Sequence, residues 1–404
     1  MEAWQRNLTI IWASQLIAIV GFSVVFPFLP YYIQELGVTE LHEVELWSGV
    51  LFATQAVTMA IFAPIWGTLS DRYGRKMMVQ RAMFGGAITL AAMGFVQDVW
   101  QLALLRAIQG MLTGTVSAAT TLVASSTPRE RSGYALGLLQ MAVWTGASVG
   151  PLVGGLIADT WGYRAAFWVT GILLFLAGLT VWRFVEEDFQ PPDRDKDKAG
   201  AGFWEGVRLV FHQRPLLSLF SIRFLMRLAV RLIGPVLPLF VQSIVAPTAR
   251  LATITGLISG VQAGASAIGA VTLGRASDRI GYRRVLLTCA ALGALLYAPQ
   301  FFVTTPWQLL ILQGATGLAM SGVLASTSAL LANLAPERRQ GAVYGVDASV
   351  VSAANAVAPM LGASIAATVG LRAPFLLTAG GLALASGLVW ILLPKDGQDS
   401  TAQN

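Results

Sequence analysis

Three arginines, Arg223, Arg227 and Arg231, recur at a spacing of four inside the apolar run PLLSLFSIRFLMRLAVRLIGPVLPLF. A guanidinium is a permanent cation with a planar fork of donors, a shape that suits carboxylate and phosphate. On a helix this spacing sets all three on one stripe, each about 6 Å beyond the last. A charge in hydrocarbon costs at least ~2.5–3.5 kcal/mol, so the stripe must face protein or water. Three roles fit it: recognition of an anionic or electron-rich solute, coupling to a proton through a nearby acid, and pairing with other helices or backbone carbonyls. Arg223, nearest the start of the run, is the most structural in character. Arg106 is a fourth cation in an apolar segment, and Asp347 is the one acid within such a segment. Asp347 can carry a proton or brace a helix end near Asp71 and Arg338. The two histidines, His42 and His212, fall in loops without an acid and nucleophile beside them, so no enzyme is expected. Cys289 is the only cysteine, which leaves no disulfide framework. No metal and no cofactor is expected.

The elements that hold these residues are apolar. The 404 residues are 55% apolar and only 12% charged, about half the charged fraction of a soluble domain. Segments long enough to cross ~30 Å of hydrocarbon recur along the whole chain. The expected fold class is an all-α polytopic membrane protein of twelve spans, beginning near Leu8, Leu46, Val79, Trp100, Ser132, Ala165, Leu216, Ala252, Val285, Trp307, Gly341 and Ala373. The first segment is too long for a signal-peptide core and lacks a cleavage pattern, so it reads as a retained span. Basic residues gather on one set of loops and ends: Arg6, Arg72, Arg75, Lys76, Arg81, Arg129, Arg131, Arg275, Arg279, Arg283, Arg284, Arg338, Arg339 and Lys395. The other set carries Arg164, Arg250 and Arg372, and the acidic loop with Glu35, Glu40, Glu43 and Glu45. Both termini are therefore expected in the cytoplasm. The asymmetry also accounts for the formal charge of +6. Nucleic-acid binding needs a soluble basic surface, which the sequence does not offer.

Glu186 to Arg214 breaks the pattern with EEDFQPPDRDKDKAGAG, a charged, Pro- and Gly-containing linker. Within it FWEGVRLVFHQ reads equally as a surface amphipathic helix or a plain turn. The chain thus divides into a bundle of residues 1–184, a linker of 185–214, a second bundle of 215–394 and a tail of 395–404. The bundles repeat at an offset of 207 or 208. Pro27 and Pro30 answer Pro235 and Pro238, and Gln34 answers Gln242. GTLSDRYGRK from Gly67 answers GRASDRIGYR from Gly274, and Gly150-Pro151 answers Ala358-Pro359. Six spans repeated in one orientation form the parallel-repeat plan of transporters, with a substrate site between bundles near mid-membrane.

GTLSDRYGRK, with Gly67, Leu69, Asp71, Arg72, Gly74, Arg75 and Lys76, resembles the loop signature of the major facilitator superfamily between its second and third helices. LLRAIQGMLTG, with Arg106, Gln109, Gly110 and Gly114, resembles the family's second motif. GASVGPLVGG, with Gly146, Gly150, Pro151, Gly154 and Gly155, resembles the motif of its drug/proton antiporter branch. The resemblance runs from about Arg6 to Pro394. It extends to the bacterial twelve-helix multidrug exporters, and especially to a subgroup associated with resistance to antibiotics such as fosfomycin and to bile-salt-like compounds.

The resemblance implies two six-helix bundles, a cavity lined by helices 1, 4, 7 and 10, and alternating access. It implies a cytoplasmic gate latched by Gly67, Asp71, Arg72, Gly74 and Arg75, echoed by Asp278 and Arg279, and a leak-resistant hinge at Gly146, Gly150, Pro151, Gly154 and Gly155. Candidate substrate contacts are Gln15, Phe22, Phe26, Arg106, Arg227, Arg231 and Gln313. Candidate proton-coupling groups are Asp347 and Arg106. Many relatives that export cations carry an acid in the first helix, whereas this chain has Ser14, Gln15 and Ser23 there. The expected activity is proton-coupled efflux of small amphipathic compounds, leaning anionic, zwitterionic or neutral, by a monomer in a bacterial plasma membrane. The alternatives are a dedicated transporter of one metabolite, such as a sugar, sugar phosphate or organic acid, and a lipid translocase.

Overall fold

The computed structural model describes residues 3–187, 203–246, 249–336 and 339–393. Its sixteen α-helices are α1 Ala3–Val24, α2 Leu29–Glu35, α3 Leu41–Tyr73, α4 Arg75–Met93, α5 Val99–Leu112, α6 Thr115–Ser126, α7 Ser132–Trp161, α8 Tyr163–Phe184, α9 Phe203–His212, α10 Arg214–Arg231, α11 Leu237–Ile244, α12 Leu251–Ile280, α13 Tyr282–Tyr297, α14 Pro306–Leu334, α15 Gln340–Val369 and α16 Ala373–Leu392. No strand occurs among the described residues.

The repeat is visible in how helices join. α3 and α4 are separated by Gly74 alone, at φ 96°, and α12 and α13 by Gly281 alone, at φ 105°. A side chain at that φ would meet its own backbone, so a one-residue turn between helices requires glycine. Gly162 alone, at φ 87°, makes the same joint before α8, while Gly370, at φ 112°, opens a three-residue turn before α16. The proline-marked breaks recur as well. α1 gives way to turns before α2, with Pro30 in its first turn, and α10 gives way to turns before α11, which carries Pro238. Proline removes a backbone donor and fixes φ, which ends one helix and starts the next.

Ten helical segments are long and apolar enough to cross a membrane. The remaining two of the expected twelve are α4, with 19 residues, and α10, with 18. At 1.5 Å per residue each reaches about 27 Å. Their basic residues lower their hydropathy: Arg75, Lys76 and Arg81 in α4, and the arginine stripe in α10. Ile88, Leu104, Ile172, Leu295, Ile311 and Ile391 are all more than half exposed. Exposed aliphatic side chains on so many helices are stable only against hydrocarbon. The molecule is a multi-pass integral membrane protein.

The chain folds as two compact units, one from Met1–Asp195 with Val241–Gly260, the other from Lys196–Phe240 with Val261–Asn404. The start of α12, from the second repeat, thus belongs with the first repeat's helices. The first unit's core gathers Leu8, Ile11 and Ala18 of α1, Val79 and Met83 of α4, Leu122 and Val123 of α6, and Ala177 and Val181 of α8. In the second unit Phe240 packs on Phe375 at 4.8 Å, and the Thr378 hydroxyl donates to the carbonyl of Ala229 at 2.7 Å. The linker block FWEGVRLVFHQ forms α9, which packs on α15 and α10. Val210 is buried there, while Arg208 and Phe211 are exposed. Residues 188–202 of the linker and the tail 395–404 lie outside the described residues, as do Arg338 and the side chain of Asp71.

Candidate functional site

The arginine stripe does not behave as one unit. α10 starts with Pro215 in its first turn and packs against α15. Arg223 meets Asp347 of α15 through two contacts, Nε to Oδ1 at 2.8 Å and Nη2 to Oδ2 at 2.9 Å. The side chains are 9% and 15% exposed. This is a close ion pair largely shut off from water, held by one hydrogen bond, Nη2 to Oδ2; Nε, Nη1 and Oδ1 are buried without hydrogen-bond geometry. Arg227, one turn on, is half-buried, and Arg231 is exposed. Neither makes a hydrogen bond or ion pair with a described residue, and the Arg227 Nε is buried without an acceptor.

Arg106 of α5 is buried, with 5% exposure. Its Nη1 donates to Oε1 of Gln55 at 2.8 Å and of Gln109 at 3.1 Å, with no carboxylate among its partners. The repeat-equivalent Gln313 of α14 is also buried. Its Nε2 donates to Gln300 Oε1 at 3.1 Å, and Thr316 donates to its backbone carbonyl. Gln15 lies on the core stripe of α1 with Leu8, Ile11 and Ala18, fully buried, and neither end of its amide has a partner. Phe22 packs against the first unit's core. Phe26 is 39% exposed and meets Phe52 at 4.8 Å. In its own unit each residue is thus placed: Arg231 and Phe26 are exposed and Arg227 is half-buried, while Arg106, Gln15 and Gln313 are packed inside.

The glycine motif of α7 presents two faces. Gly146, Gly150 and Gly154 lie on α1, where added methyl groups would overlap Ile19, Ser23 and the carbonyl of Val24. Gly155 faces α12, where a methyl would overlap the carbonyl of Ala252. From the other side Gly256 of α12 fits against the carbonyl of Pro151, and Ser148 Oγ donates to the carbonyl of Gly260 at 2.9 Å. Small residues at a spacing of four let helix backbones touch. In the first gate motif Gly67 is open, Arg72 lies over the Tyr73 ring at 5.3 Å, and Gly74 is the helix joint. In its echo Asp278 accepts from the Tyr282 hydroxyl at 3.0 Å, and Arg279 is exposed.

Several contacts escaped sequence reasoning. Glu187, just past the end of the neighbouring helix α8, accepts the backbone N–H groups of Arg75 and Lys76 at 2.9 and 2.8 Å, capping α4. Asp159, at the end of α7, accepts those of Ala252 and Thr253 at 3.2 and 2.7 Å, capping α12. A carboxylate there satisfies orphan donors and meets the positive end of the helix. Tyr31 and Thr255 share a hydrogen bond of 2.9 Å. Gln34 and Gln242, equivalent by the repeat, exchange two amide hydrogen bonds of 2.9 and 3.1 Å. A break divides α5 from α6 at Thr113 and Gly114, the latter at φ 125°. The Trp66 indole donates to the carbonyl of Met111 just before it, at 2.6 Å.

Comparison with known proteins adds three findings. The family model of the Major Facilitator Superfamily matches residues 11–244 and 219–404. Proteins named Multidrug resistance protein MdtG are similar along most of the chain. The one from Salmonella arizonae is 37% identical, covering 93% of each chain, and the one from Enterobacter lignolyticus is 39% identical, covering 93% of this chain and 89% of the relative. Among solved structures, a bacterial homologue of the human lysosomal transporter Spinster, inward-facing and unoccupied, superposes with a TM-score of 0.80 at 15% identity over 97% of both chains. The human organic anion transporter MFSD10 does so at 0.67 and 18%, over 96% of this chain and all of that one.

Proposed function

The chain belongs to the major facilitator superfamily, and from that membership we propose that it is a proton-driven exporter of small, chemically diverse drugs and toxic compounds, favouring anionic, zwitterionic and neutral species. The name shared by relatives at 37–39% identity supports drug efflux. One observation carries the charge preference: Arg223 has its carboxylate, while Arg227 and Arg231 have none among the described residues. Two unpaired guanidinium forks about 6 Å apart on one stripe attract an anion and repel a cation.

Asp347 is the proposed proton carrier. A proton and Arg223 compete for the same carboxylate, so protonation frees the guanidinium and weakens the α10–α15 contact. Arg106, held by two amides, keeps its charge inside the helices. The asymmetry of the basic loops supports termini on the cytoplasmic side, the bacterial sources of the relatives support a bacterial plasma membrane, and the working unit in this reading is a monomer. The motion is alternating access, in which solute and proton each shift the balance between states through their different affinities for them.

Efflux from pump-deficient cells tests the reading, with a substrate panel sorted by charge, with and without an uncoupler. The wild type is expected to export anionic and neutral compounds and to stop when the uncoupler is added. Arg227→Gln is expected to lose the anions selectively, by about tenfold or more, the scale of one charge-assisted contact. Equal export of cations by both proteins overturns the charge preference. Export that ignores the uncoupler overturns proton drive.

A further inference from the structure

Glu45 stands apart from every other acid whose side chain is described. It lies one turn into α3, is 3% exposed, and makes neither a hydrogen bond nor an ion pair with any described residue. The other acids are exposed or engaged. Glu40, Glu43 and Glu130 are exposed. Glu35 meets Arg164, Glu186 meets Arg6, and Asp347 meets Arg223. Asp98, Asp159 and Glu187 cap helices, and Asp278 holds Tyr282.

The neighbours of Glu45 leave it without compensation. On its own helix, buried Ser48 and Gly49 lie one turn on from it, and the Ser48 hydroxyl donates to the carbonyl of Val44 at 2.7 Å. The helices packed on α3 in this unit are α2, α4 and α5. The charged group of α2 is Glu35, engaged by Arg164. Those of α5 and its cap are Asp98, bound to Gln101 N, and Arg106, tied to Gln55 about 15 Å further along α3. The cations of α4, Arg75, Lys76 and Arg81, sit at its start, next to the opposite end of α3. His42, one turn away and exposed, is the ionisable group whose charge bears on Glu45.

We propose that Glu45 is a proton-binding site at the outer end of α3, occupied in the conformation described here and emptied when that end opens to the outer solution. The reaction is a simple transfer: the carboxylate takes H+ from outer water to give a carboxylic acid, and returns it to water on re-exposure. An anion at 3% exposure without counter-ion or protein donor keeps only the edge of its hydration, whereas the acid is neutral. Proton occupancy and burial are therefore linked, and outer acidity favours the state that buries Glu45. The placement at the outer end rests on the orientation given above, and the part in transport rests on proton drive.

Two measurements on the full-length protein in lipid test it. Infrared difference spectra across a pH titration are expected to show a protonated-carboxyl carbonyl band that disappears in Glu45→Gln and persists, shifted, in Glu45→Asp. Efflux at fixed internal pH is expected to depend on outer pH in the wild type with a limb of up to tenfold per unit, the slope of one titrating group. In Glu45→Gln that limb is expected to be flat. A band unchanged in Glu45→Gln, or a pH profile that keeps its wild-type limb, overturns the proposal. The spectra need no gradient and no transport. A wild type that ignores an uncoupler but shows the Glu45 band leaves the site standing and removes proton drive. Monodispersity of both variants on gel filtration separates loss of the band from loss of fold.

Discussion

At the scale of single residues, Arg223 and Asp347 show what a chain gains by placing opposite charges deep in a membrane protein. Each alone carries the cost of leaving water, and together their ion pair and its one hydrogen bond offset part of it. Asp347→Asn leaves Arg223 with a neutral partner and no counter-charge. It is expected to destabilise the protein by about 3 kcal/mol, the low end for breaking a buried pair. The double variant Arg223→Gln with Asp347→Asn is expected to cost less than the sum of the two singles, because no stranded charge remains. Thermal unfolding in detergent of all four proteins measures this. Additive losses mean the pair is not coupled. The stripe itself was legible as a spacing of four, but the pairing was not, since the two residues lie 124 positions apart. Glu45 was hidden differently. It reads as part of an acidic loop, yet α3 begins at Leu41, because acidic residues in a first turn suit the positive end of a helix.

At the scale of elements, α7 and α12 make a joint whose parts act together. The glycine motif was legible as close packing, but its division between α1 and α12 was not. A spacing of four names a stripe without naming the neighbour. Asp159 completes the joint by capping α12. Its removal in Asp159→Ala is expected to cost about 1–2 kcal/mol, the range of a helix cap combined with the dipole term. Asp159→Asn, which keeps one acceptor, is expected to cost about half as much. Both are read by shifts in unfolding temperature, and equal losses in the two variants would mean that packing rather than capping matters. Gly155→Val is expected to be worse than either, because its branched side chain meets the backbone at Ala252 and Thr253. The break between α5 and α6 shows the limit of glycine as a signal. Gly322, at the equivalent place, sits inside the continuous α14. The preceding residues differ: Ser321 donates back to the carbonyl of Leu318 at 2.6 Å within the helix, whereas Thr113 is extended.

At the scale of the whole molecule, the internal repeat carried most of the fold into view. One offset forecast that Gly74 answers Gly281 and that Pro27 and Pro30 answer Pro235 and Pro238, but not that α1 and α10 would end before those prolines. It also named Gln34 and Gln242 as equivalent. Equivalence is a statement about sequence, however, and contact is a statement about space, so the amide exchange between them had to be seen. That exchange lies among contacts that tie residues 241–260 to helices of the first repeat, with Tyr31–Thr255 and the Asp159 cap. The two side-chain contacts are neutral and worth about 1 kcal/mol each, and the cap is a charge–dipole contact of about 1–2 kcal/mol, a set that can separate and reform. A covalent link cannot. With Cys289→Ala as background, Gln34→Cys with Gln242→Cys is expected to form a bond under mild oxidation or with a short bifunctional reagent. Efflux is then expected to fall to the uncoupled background and to return on reduction of the disulfide. The single-cysteine proteins are expected to keep their activity under the same treatment. If the linked protein transports at the wild-type rate, residues 241–260 stay with the first repeat throughout the cycle. The opening of the outer side would then have to occur elsewhere in the molecule.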